Sequence, residues 1–241
     1  MTSALQAVIF DFDGVIADSE PLHFRAFQQT LAEDGLELSP REYSSRYLGY
    51  DDVGMFQAFG EDRGVPMDAA RVAGLVTRKG HKLQAMLGSG SVLFPGAIDF
   101  VRAAAGAVPI AIASGALRHE IDEVIAAAGV AGLFGAIVAS GDTPESKPSP
   151  APYRLAFERL QEAAGAALDP SRCVAIEDSR WGLESARGAG LRCVGVTNSY
   201  QADELTGAEL VVGGLRELTL DALDRLCAGA RDVLKGRQSW E

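Results

Sequence analysis

The feature that most constrains the fold of this chain is a series of short, uninterrupted apolar segments separated by longer helical patterns. The sequence predicts six strands of this kind, at residues 7–12, 108–113, 136–139, 173–176, 193–196 and 210–212. Strands that are apolar along their whole length are typical of a parallel sheet buried on both faces, with helices in the connections. We therefore expect an α/β fold in which helices cover both sides of a parallel sheet.

The stretches between these strands have the spacing and the end signals of helices. Helices are predicted at about residues 97–105, 117–128, 151–163, 181–189 and 215–234. Gly129 and Gly190 follow two of them, and Pro150 precedes a third, as is usual at helix ends and helix starts.

The first connection is too long for a single crossover helix, because residues 13–107 separate the first two strands. Within it, the segment from about residue 19 to 90 has helical spacing and little strand character. We predict a sheet domain made of residues 1–17 and 91–241, with a small helical domain, residues 18–90, inserted after the first strand.

Composition narrows the function classes. The chain has 241 residues, 47% of them hydrophobic, which is enough for a core, and its net charge of −11 disfavours a nucleic-acid or anionic membrane surface. It shows no apolar run of membrane-spanning length, no basic leader, and three widely spaced cysteines without metal-site pairing. We expect a cytoplasmic protein that binds neither nucleic acid nor membrane and is a monomer or a small homo-oligomer.

Polar residues follow four of the predicted strands, and the carboxyl ends of parallel strands meet at one edge of a sheet. These residues are Asp11 and Asp13, Ser114 and Gly115, Lys147, and Glu177 with Asp178. Two adjacent carboxylates repel each other unless a cation lies between them, so this edge is a candidate Mg²⁺ site. Mg²⁺ beside a carboxylate points to phosphate chemistry.

Each of these residues also has an ordinary structural explanation. The two aspartates could end a strand in a turn, and Ser114 could cap the following helix. Lys147 could be a solvated loop residue, and Glu177 with Asp178 could begin a helix. Their joint occurrence after four separate strands favours a functional site.

With these motifs, the chain resembles the haloacid dehalogenase superfamily of phosphohydrolases. The resemblance rests on DFDGV at 11–15, Ser114, Lys147 in KPSP, and EDS at 177–179 followed by Gly182. It implies a Rossmann-like, doubly wound parallel sheet with an inserted α-helical cap domain. Residues 18–27 are similar to the opening of the cap in the β-phosphoglucomutase-like group of small phosphatases and mutases.

The resemblance implies a role for each motif residue. Asp11 would attack the phosphorus and become an aspartyl-phosphate, and Asp13 would protonate the leaving oxygen and then deprotonate the attacking water. Lys147 would balance the phosphoryl charge and hold Asp11 ionised. Ser114 and the backbone N–H of Gly115 would bond the phosphoryl oxygens.

The same resemblance implies a Mg²⁺ cofactor. The ion would be held by Asp11, the backbone carbonyl of Asp13 and Asp178, with Glu177 helping directly or through water. Dehalogenases of the superfamily lack an acid at the position of Asp13, so this residue favours phosphate esters as substrates.

Residues of the cap bear on the choice between phosphatase and mutase. His23 and Lys79 match cap residues of β-phosphoglucomutase, whereas Asp52 occupies the place of the arginine that grips a second phosphate there. Arg118 could replace an asparagine of the mutase as a phosphate contact. His23 could instead be a packing residue at the cap hinge. The Asp51–Asp52 pair could favour a substrate with hydroxyls or an amine, or be a solvated charge pair.

The sequence therefore predicts a Mg²⁺-dependent phosphatase that acts on a small phosphorylated metabolite, such as a sugar phosphate. Two alternatives stay open at this point. One is a phosphosugar mutase of the β-phosphoglucomutase type, and the other is a non-catalytic binding protein of the same fold.

Overall fold

The protein is described here by a computed structural model. It describes residues 3–48, 50–87 and 92–236. The chain divides into two compact units: Met1–Asp18 with Leu93–Glu241, which we call the sheet unit, and Ser19–Val92, which we call the helical unit. The boundary predicted between residues 90 and 91 lies outside the described residues, and the assignment of the helical unit as a cap stays a prediction.

The strands of the described chain form one parallel sheet. They are β1 Ala7–Phe10, β2 Ile110–Ala113, β3 Phe134–Val138, β4 Cys173–Glu177, β5 Arg192–Val196 and β6 Leu210–Val212. The order across the sheet is β3-β2-β1-β4-β5-β6, with Ile9 of β1 opposite Ala111 on one side and Ala175 on the other. This is the Rossmann-like α/β fold that the sequence predicts.

The strand order places the ligand-binding edge of the sheet. After β1 the next strands lie to one side of it, and the chain then crosses to the other side to form β4. In sheets of this kind, ligands bind outside the carboxyl ends of the strands where the order reverses. Asp11 directly follows β1 and Glu177 ends β4, so these acids lie at that position.

Within its described residues the helical unit contains α1 Glu20–Glu33, α2 Pro40–Glu42, α3 Asp52–Arg63 and α4 Ala69–Leu87. A π-helical turn, Tyr43–Tyr47, continues α2. The Asp51 side chain starts α3 by accepting from the N–H of Gly54, and Gly64 ends it in a left-handed conformation. The helices enclose a core of Phe27, Leu31, Leu38, Tyr43, Tyr47, Met55, Phe56, Phe59, Val72 and Leu75.

Helices on both faces of the sheet complete the sheet unit. They are α5 Ala97–Ala107, α6 Arg118–Ala127, α7 Ala151–Ala164, α8 Arg180–Gly188 and α9 Leu220–Gly236. On one face, α7 contacts β2 and β3 and α8 contacts β4 and β5, over small side chains such as Ala7, Ala111 and Ala175. Phe10 points to the other face and meets Phe100 of α5 edge to face.

One predicted helix is interrupted. The segment 215–234 begins as a short 3₁₀ turn, Leu215–Glu217, and the helix proper starts at Leu220. The Thr219 hydroxyl accepts from the N–H of Ala222, which caps a new helix instead of extending the turn. None of the helices in the described ranges is long and apolar enough to cross a membrane.

Candidate active site

The loop that follows β1 brings its backbone close to the carboxylate of Asp178, the residue that follows β4. The Phe12 carbonyl accepts from the N–H groups of Ile16 and Ala17, both at 2.9 Å, and Gly14 has a φ of 78°. A Cβ added at Gly14 would lie 1.8 Å from Oδ2 of Asp178. Glycine is therefore needed at this position both for its backbone conformation and for the close approach of Asp178.

Glu177 ends β4 and is a fully buried acceptor of hydrogen bonds. Its Oε1 accepts from Lys147 Nζ at 2.6 Å and from the Tyr153 hydroxyl at 2.9 Å. Its Oε2 accepts from the N–H groups of Asp178 and Ser179 at 3.2 and 3.3 Å, and from the Ser179 hydroxyl at 3.1 Å. Both oxygens of Glu177 are thus occupied by donors of the protein itself.

Lys147 lies between two acids, Asp11 after β1 and Glu177 at the end of β4. Its ammonium lies 2.8 Å from Oδ1 of Asp11 and 2.6 Å from Oε1 of Glu177. Burial acts to lower the pKa of Lys147, but the carboxylates of Asp11 and Glu177 outweigh it and raise this pKa above its ordinary value. The side chain is therefore a permanent cation at the carboxyl edge of the sheet.

The acids form a cluster that fits a divalent cation. Carboxylate oxygens of Asp11, Glu177 and Asp178 lie within 4.8 Å of one another, and all three residues are buried. Burial, and then the charge of Glu177, raise the pKa of Asp11 to about 7 in spite of Lys147, and the same two causes raise the pKa of Asp178 well above its usual range. Three carboxylates face one ammonium here, so the cluster has the oxygen ligands and the excess negative charge that suit Mg²⁺.

The hydrogen bonds also distinguish the members of this cluster. In the described part of the chain, the side-chain hydrogen bonds of Asp11 involve Oδ1 and those of Asp178 involve Oδ2. The other oxygen of each is available as a ligand, unlike either oxygen of Glu177.

The other predicted residues of the sheet unit lie near strand ends. Asp13 is half-buried, and its charge is a lesser cause of the raised pKa of Asp11. The buried Ser114 hydroxyl accepts from the N–H of Ala116 at 3.0 Å, in a turn that precedes α6 rather than as its cap. Gly115 is exposed, and the exposed Arg118 pairs with Asp122 on its own helix at 3.0 Å.

In the helical unit, the three predicted cap residues meet in one cluster. Lys79 is only 1% exposed, and its Nζ lies 2.7 Å from Oδ1 of Asp52 and 2.9 Å from Nδ1 of His23. The ammonium also lies 4.8 Å from the centre of the Phe27 ring. Burial, and then the charge of Lys79, lower the pKa of His23 well below its ordinary value, so a neutral ring accepts from the ammonium.

The alternative of a solvated Asp51–Asp52 pair is wrong. Asp52 is paired with a buried lysine, and Asp51 accepts from the N–H of Gly54 at 2.7 Å as the cap of α3. The two neighbouring aspartates therefore have different structural roles.

Comparisons with known proteins agree with this geometry. A family model described as a haloacid dehalogenase-like hydrolase matches residues 5–190. The chain belongs to this family. Among curated relatives of this hydrolase, the CbbY protein of Rhodobacter capsulatus is 32% identical over 92% of this chain and 99% of its own. A fructose-1-phosphate phosphatase of Escherichia coli, YqaB, is 28% identical over 78% of this chain and 95% of its own.

Solved structures show the same fold. A variant of CbbY from Rhodobacter sphaeroides, in complex with xylulose-(1,5)bisphosphate, has a TM-score of 0.81 and 29% identity, covering 91% of this chain and 99% of that one. A β-phosphoglucomutase from Clostridium difficile also has a TM-score of 0.81, at 20% identity, covering 94% and 98%. The family and fold predicted for this haloacid dehalogenase-like hydrolase are confirmed.

Sequence reasoning missed three residues of this hydrolase that bond either the acid cluster or the loop beside it. The Ser199 hydroxyl donates to Oδ2 of Asp178, and Nδ2 of Asn198 donates to the Gly14 carbonyl at 2.7 Å. Both follow β5, so the rule of polar residues after strands would have found them. Tyr153 gave no such signal, because a tyrosine on the inner face of a predicted helix is typical of a core.

Proposed function

We propose that this hydrolase is a Mg²⁺-dependent phosphatase that hydrolyses a small phosphorylated metabolite, such as a sugar phosphate, through an aspartyl-phosphate. The enzyme is a phosphoric monoester hydrolase of the haloacid dehalogenase-like family. One observation carries the mechanism: at the reversal point of the sheet, Asp11 is paired with Lys147 and lies within reach of Asp178. A carboxylate, a fixed cation and further oxygen ligands are the parts that phosphoryl transfer needs.

In this proposal the Asp11 carboxylate attacks the phosphorus while Lys147 holds it in place. The ammonium of Lys147 keeps Oδ1 in place at 2.8 Å and offsets the charge of the incoming phosphoryl group. Because burial and Glu177 raise the pKa of Asp11 to about 7, full ionisation of this carboxyl at neutral pH needs additional positive charge. This need supports a cation as part of the working site.

Asp13 is proposed as the general acid and base. It lies two residues beyond Asp11, is half-buried, and is therefore accessible to a leaving oxygen and to water. It would give its proton to the leaving group and then take one from the water that attacks the phosphorylated Asp11. This second step breaks the bond between the Asp11 oxygen and phosphorus, releases inorganic phosphate and returns Asp11 to its free form.

A Mg²⁺ ion would supply charge neutralisation and orientation of the phosphoryl oxygens. We propose that Asp11, Asp178 and the backbone carbonyl of Asp13 hold it. Glu177 would contribute by its charge and by its hold on Lys147, since its two oxygens already accept five hydrogen bonds.

Ser114 and Gly115 are proposed to bind the phosphoryl oxygens. The Ser114 hydroxyl accepts one hydrogen bond, from the N–H of Ala116, so its own O–H is left to donate. The N–H of Gly115, an exposed residue, would provide a second donor. The ion pair of Arg118 with Asp122 does not support a phosphate role for Arg118.

The choice of hydrolysis over mutase chemistry is supported by the charge of the helical unit. Asp52 neutralises Lys79, so the cluster of Lys79, Asp52 and His23 does not offer the free cation that a second phosphate needs.

The relatives support a sugar phosphate as the substrate class, because they include a fructose-1-phosphate phosphatase and a CbbY complex with xylulose-(1,5)bisphosphate.

Cytoplasmic location is part of the proposal. All three cysteines lie within the described residues, and each is a buried free thiol. Unpaired thiols are typical of a reducing compartment. Cell fractionation with an antibody to the protein would test this location.

The test of function is phosphate release from a panel of sugar phosphates and other phosphorylated metabolites, with and without Mg²⁺. We expect Asp11→Asn to lower kcat by about a thousandfold or more while the protein stays folded, because the nucleophile is lost. Asp203→Asn, at an exposed position, is the matched control and should leave kcat unchanged. Retention of more than a few per cent of activity in Asp11→Asn would contradict the assignment of the nucleophile. Conversion of glucose 1-phosphate to glucose 6-phosphate, primed by the bisphosphate, would instead support the mutase.

A further inference from the structure

We propose that Tyr153 is a positioning residue for Lys147, acting through Glu177. The Tyr153 hydroxyl fixes the Glu177 carboxylate, and Glu177 in turn holds the Lys147 ammonium against Asp11. The inference rests on the proposed function, since it concerns how that same site keeps its cation in place.

The packing around Tyr153 does not require a hydroxyl. The side chain is fully buried on α7, and it lies in the same apolar cluster as small side chains of the sheet such as Ala111 and Ala175. A phenyl ring would fill the same space. Burying a hydroxyl costs free energy unless it finds a partner, and the partner here is Oε1 of Glu177 at 2.9 Å.

The Lys147 ammonium is held from three sides. It lies 2.6 Å from Oε1 of Glu177, 2.8 Å from Oδ1 of Asp11, and 5.0 Å from the centre of the Tyr153 ring. Tyr153 therefore contacts the ammonium with its ring face and binds the ammonium's carboxylate partner with its hydroxyl.

The Glu177 carboxylate is itself fixed at both ends. Tyr153 and Lys147 share Oε1, and Ser179 holds Oε2 through its N–H and its hydroxyl. A Cβ at Gly182 would lie 1.9 Å from both Oε1 and the carboxylate carbon, so this glycine leaves the room that the carboxylate occupies. Loss of the Tyr153 hydroxyl would free Oε1 of Glu177 to move, and the Lys147 ammonium would move with it.

Displacement of Lys147 is expected to affect the transition state more than the bound substrate. Negative charge shifts from the Asp11 carboxylate onto the phosphoryl group and the leaving oxygen as the bond to phosphorus forms, and a fixed cation acts on that change. A variant that loses this interaction lowers kcat with little change in KM.

The experiment compares Tyr153→Phe with the wild-type enzyme. We expect kcat to fall about tenfold, because a buried hydrogen bond to a charged group is lost, while KM and inhibition by inorganic phosphate change less than about twofold. Tyr47→Phe is the matched control: it removes a hydroxyl that donates to Asp62 at 2.8 Å in the helical unit, and kcat should not change. If Tyr153 were a packing residue only, Tyr153→Phe would leave kcat within about twofold, which would overturn the proposal.

A Glu177→Gln background shows whether Tyr153 acts through Glu177. In that background we expect Tyr153→Phe to change kcat by less than about twofold, since the carboxylate that transmits the effect is absent. Equal effects of Tyr153→Phe in both backgrounds would overturn the proposed route.

A measurement without turnover separates this inference from the proposed function. The rate of Lys147 acetylation by acetic anhydride, followed by peptide mass spectrometry, should rise severalfold in Tyr153→Phe and stay constant in Tyr47→Phe. If the protein released no phosphate from any ester, the proposed function would be contradicted. A faster acetylation of Lys147 in Tyr153→Phe would still support the positioning of Lys147. An unchanged rate would contradict the positioning even if the enzyme is a phosphatase.

Discussion

Two glycines at the candidate site let carboxylates lie where any other residue would collide with them. Gly14 leaves room for Asp178, and Gly182 leaves room for Glu177. The sequence motif contains both glycines, but the reason for each is a contact with a side chain from elsewhere in the fold. At the scale of single residues, the site therefore depends on the lack of a side chain at Gly14 and Gly182 as well as on its carboxylates.

Gly14→Ala tests this dependence. The added methyl group would meet Oδ2 of Asp178, so we expect phosphatase activity to be lost and stability to fall by about 2 kcal/mol or more. Gly35→Ala is the control, because Gly35 has a similar φ of 72° but its Cβ would meet nothing within 4 Å. It should cost only the backbone strain, about 1 kcal/mol, and leave kcat unchanged. Equal kcat in the two variants would contradict the importance of the Asp178 contact.

At the scale of elements, three helices of the helical unit are held to one another by a polar cluster as well as by the aromatic core. His23 of α1, Asp52 of α3 and Lys79 of α4 meet although they come from three separate helices. The buried ammonium is satisfied by two partners, so removal of either leaves a buried charge short of an acceptor.

The state of His23 makes stability depend on pH. Its pKa in the folded protein is lowered, first by burial and then by Lys79, from an ordinary value of 6.5. Above that value the ring is neutral in both folded and unfolded chains. Below it the unfolded chain takes up a proton that the folded protein does not, so stability falls as pH falls, by up to about 1.4 kcal/mol per pH unit.

Denaturant unfolding at about pH 7.5 and about pH 5.5 measures this effect. The side-chain carbonyl of His23→Asn can still accept from Lys79. Between these two pH values we expect the free energy of unfolding of this variant to fall by about 1 kcal/mol less than that of the wild-type protein. His119→Asn, at an exposed position, should behave like the wild type. A His23→Asn variant with unchanged pH dependence would show that His23 does not cause it.

At the scale of the whole molecule, the reversal of strand order between β1 and β4 brings three acids together without enough positive charge to balance them. The raised pKa values of Asp11 and Asp178 express this repulsion, after the larger effect of burial. A bound divalent cation would have to displace protons from these groups, so its affinity should rise with pH.

Calorimetric titration with Mg²⁺ from about pH 6 to about pH 8 tests this coupling. We expect tighter binding at the higher pH, with protons released at the lower one, and a corresponding rise in the unfolding temperature on addition of Mg²⁺. Asp178→Asn is the control, and it should bind Mg²⁺ weakly at every pH. Binding that is independent of pH would contradict proton displacement by the metal ion.

Much of the fold could be predicted because its signals are local. Six apolar segments each formed a strand of the expected sheet, and Gly129 and Gly190 follow the ends of two predicted helices. One helix was predicted too long at its start, since a hydroxyl cap at Thr219 does not change hydrophobic spacing. The position of each strand end then placed Asp11, Ser114 and Glu177 at one edge of the sheet.

The sequence by itself therefore determined the elements and the chemistry at their ends, since both depend on neighbours along the chain. Only the tertiary structure decided which side chains meet: Tyr153 with Glu177, Ser199 with Asp178, and Asp52 with Lys79. Residues in these pairs lie more than twenty positions apart. Their contacts follow from strand order and helix packing, which depend on the whole core and not on any local pattern.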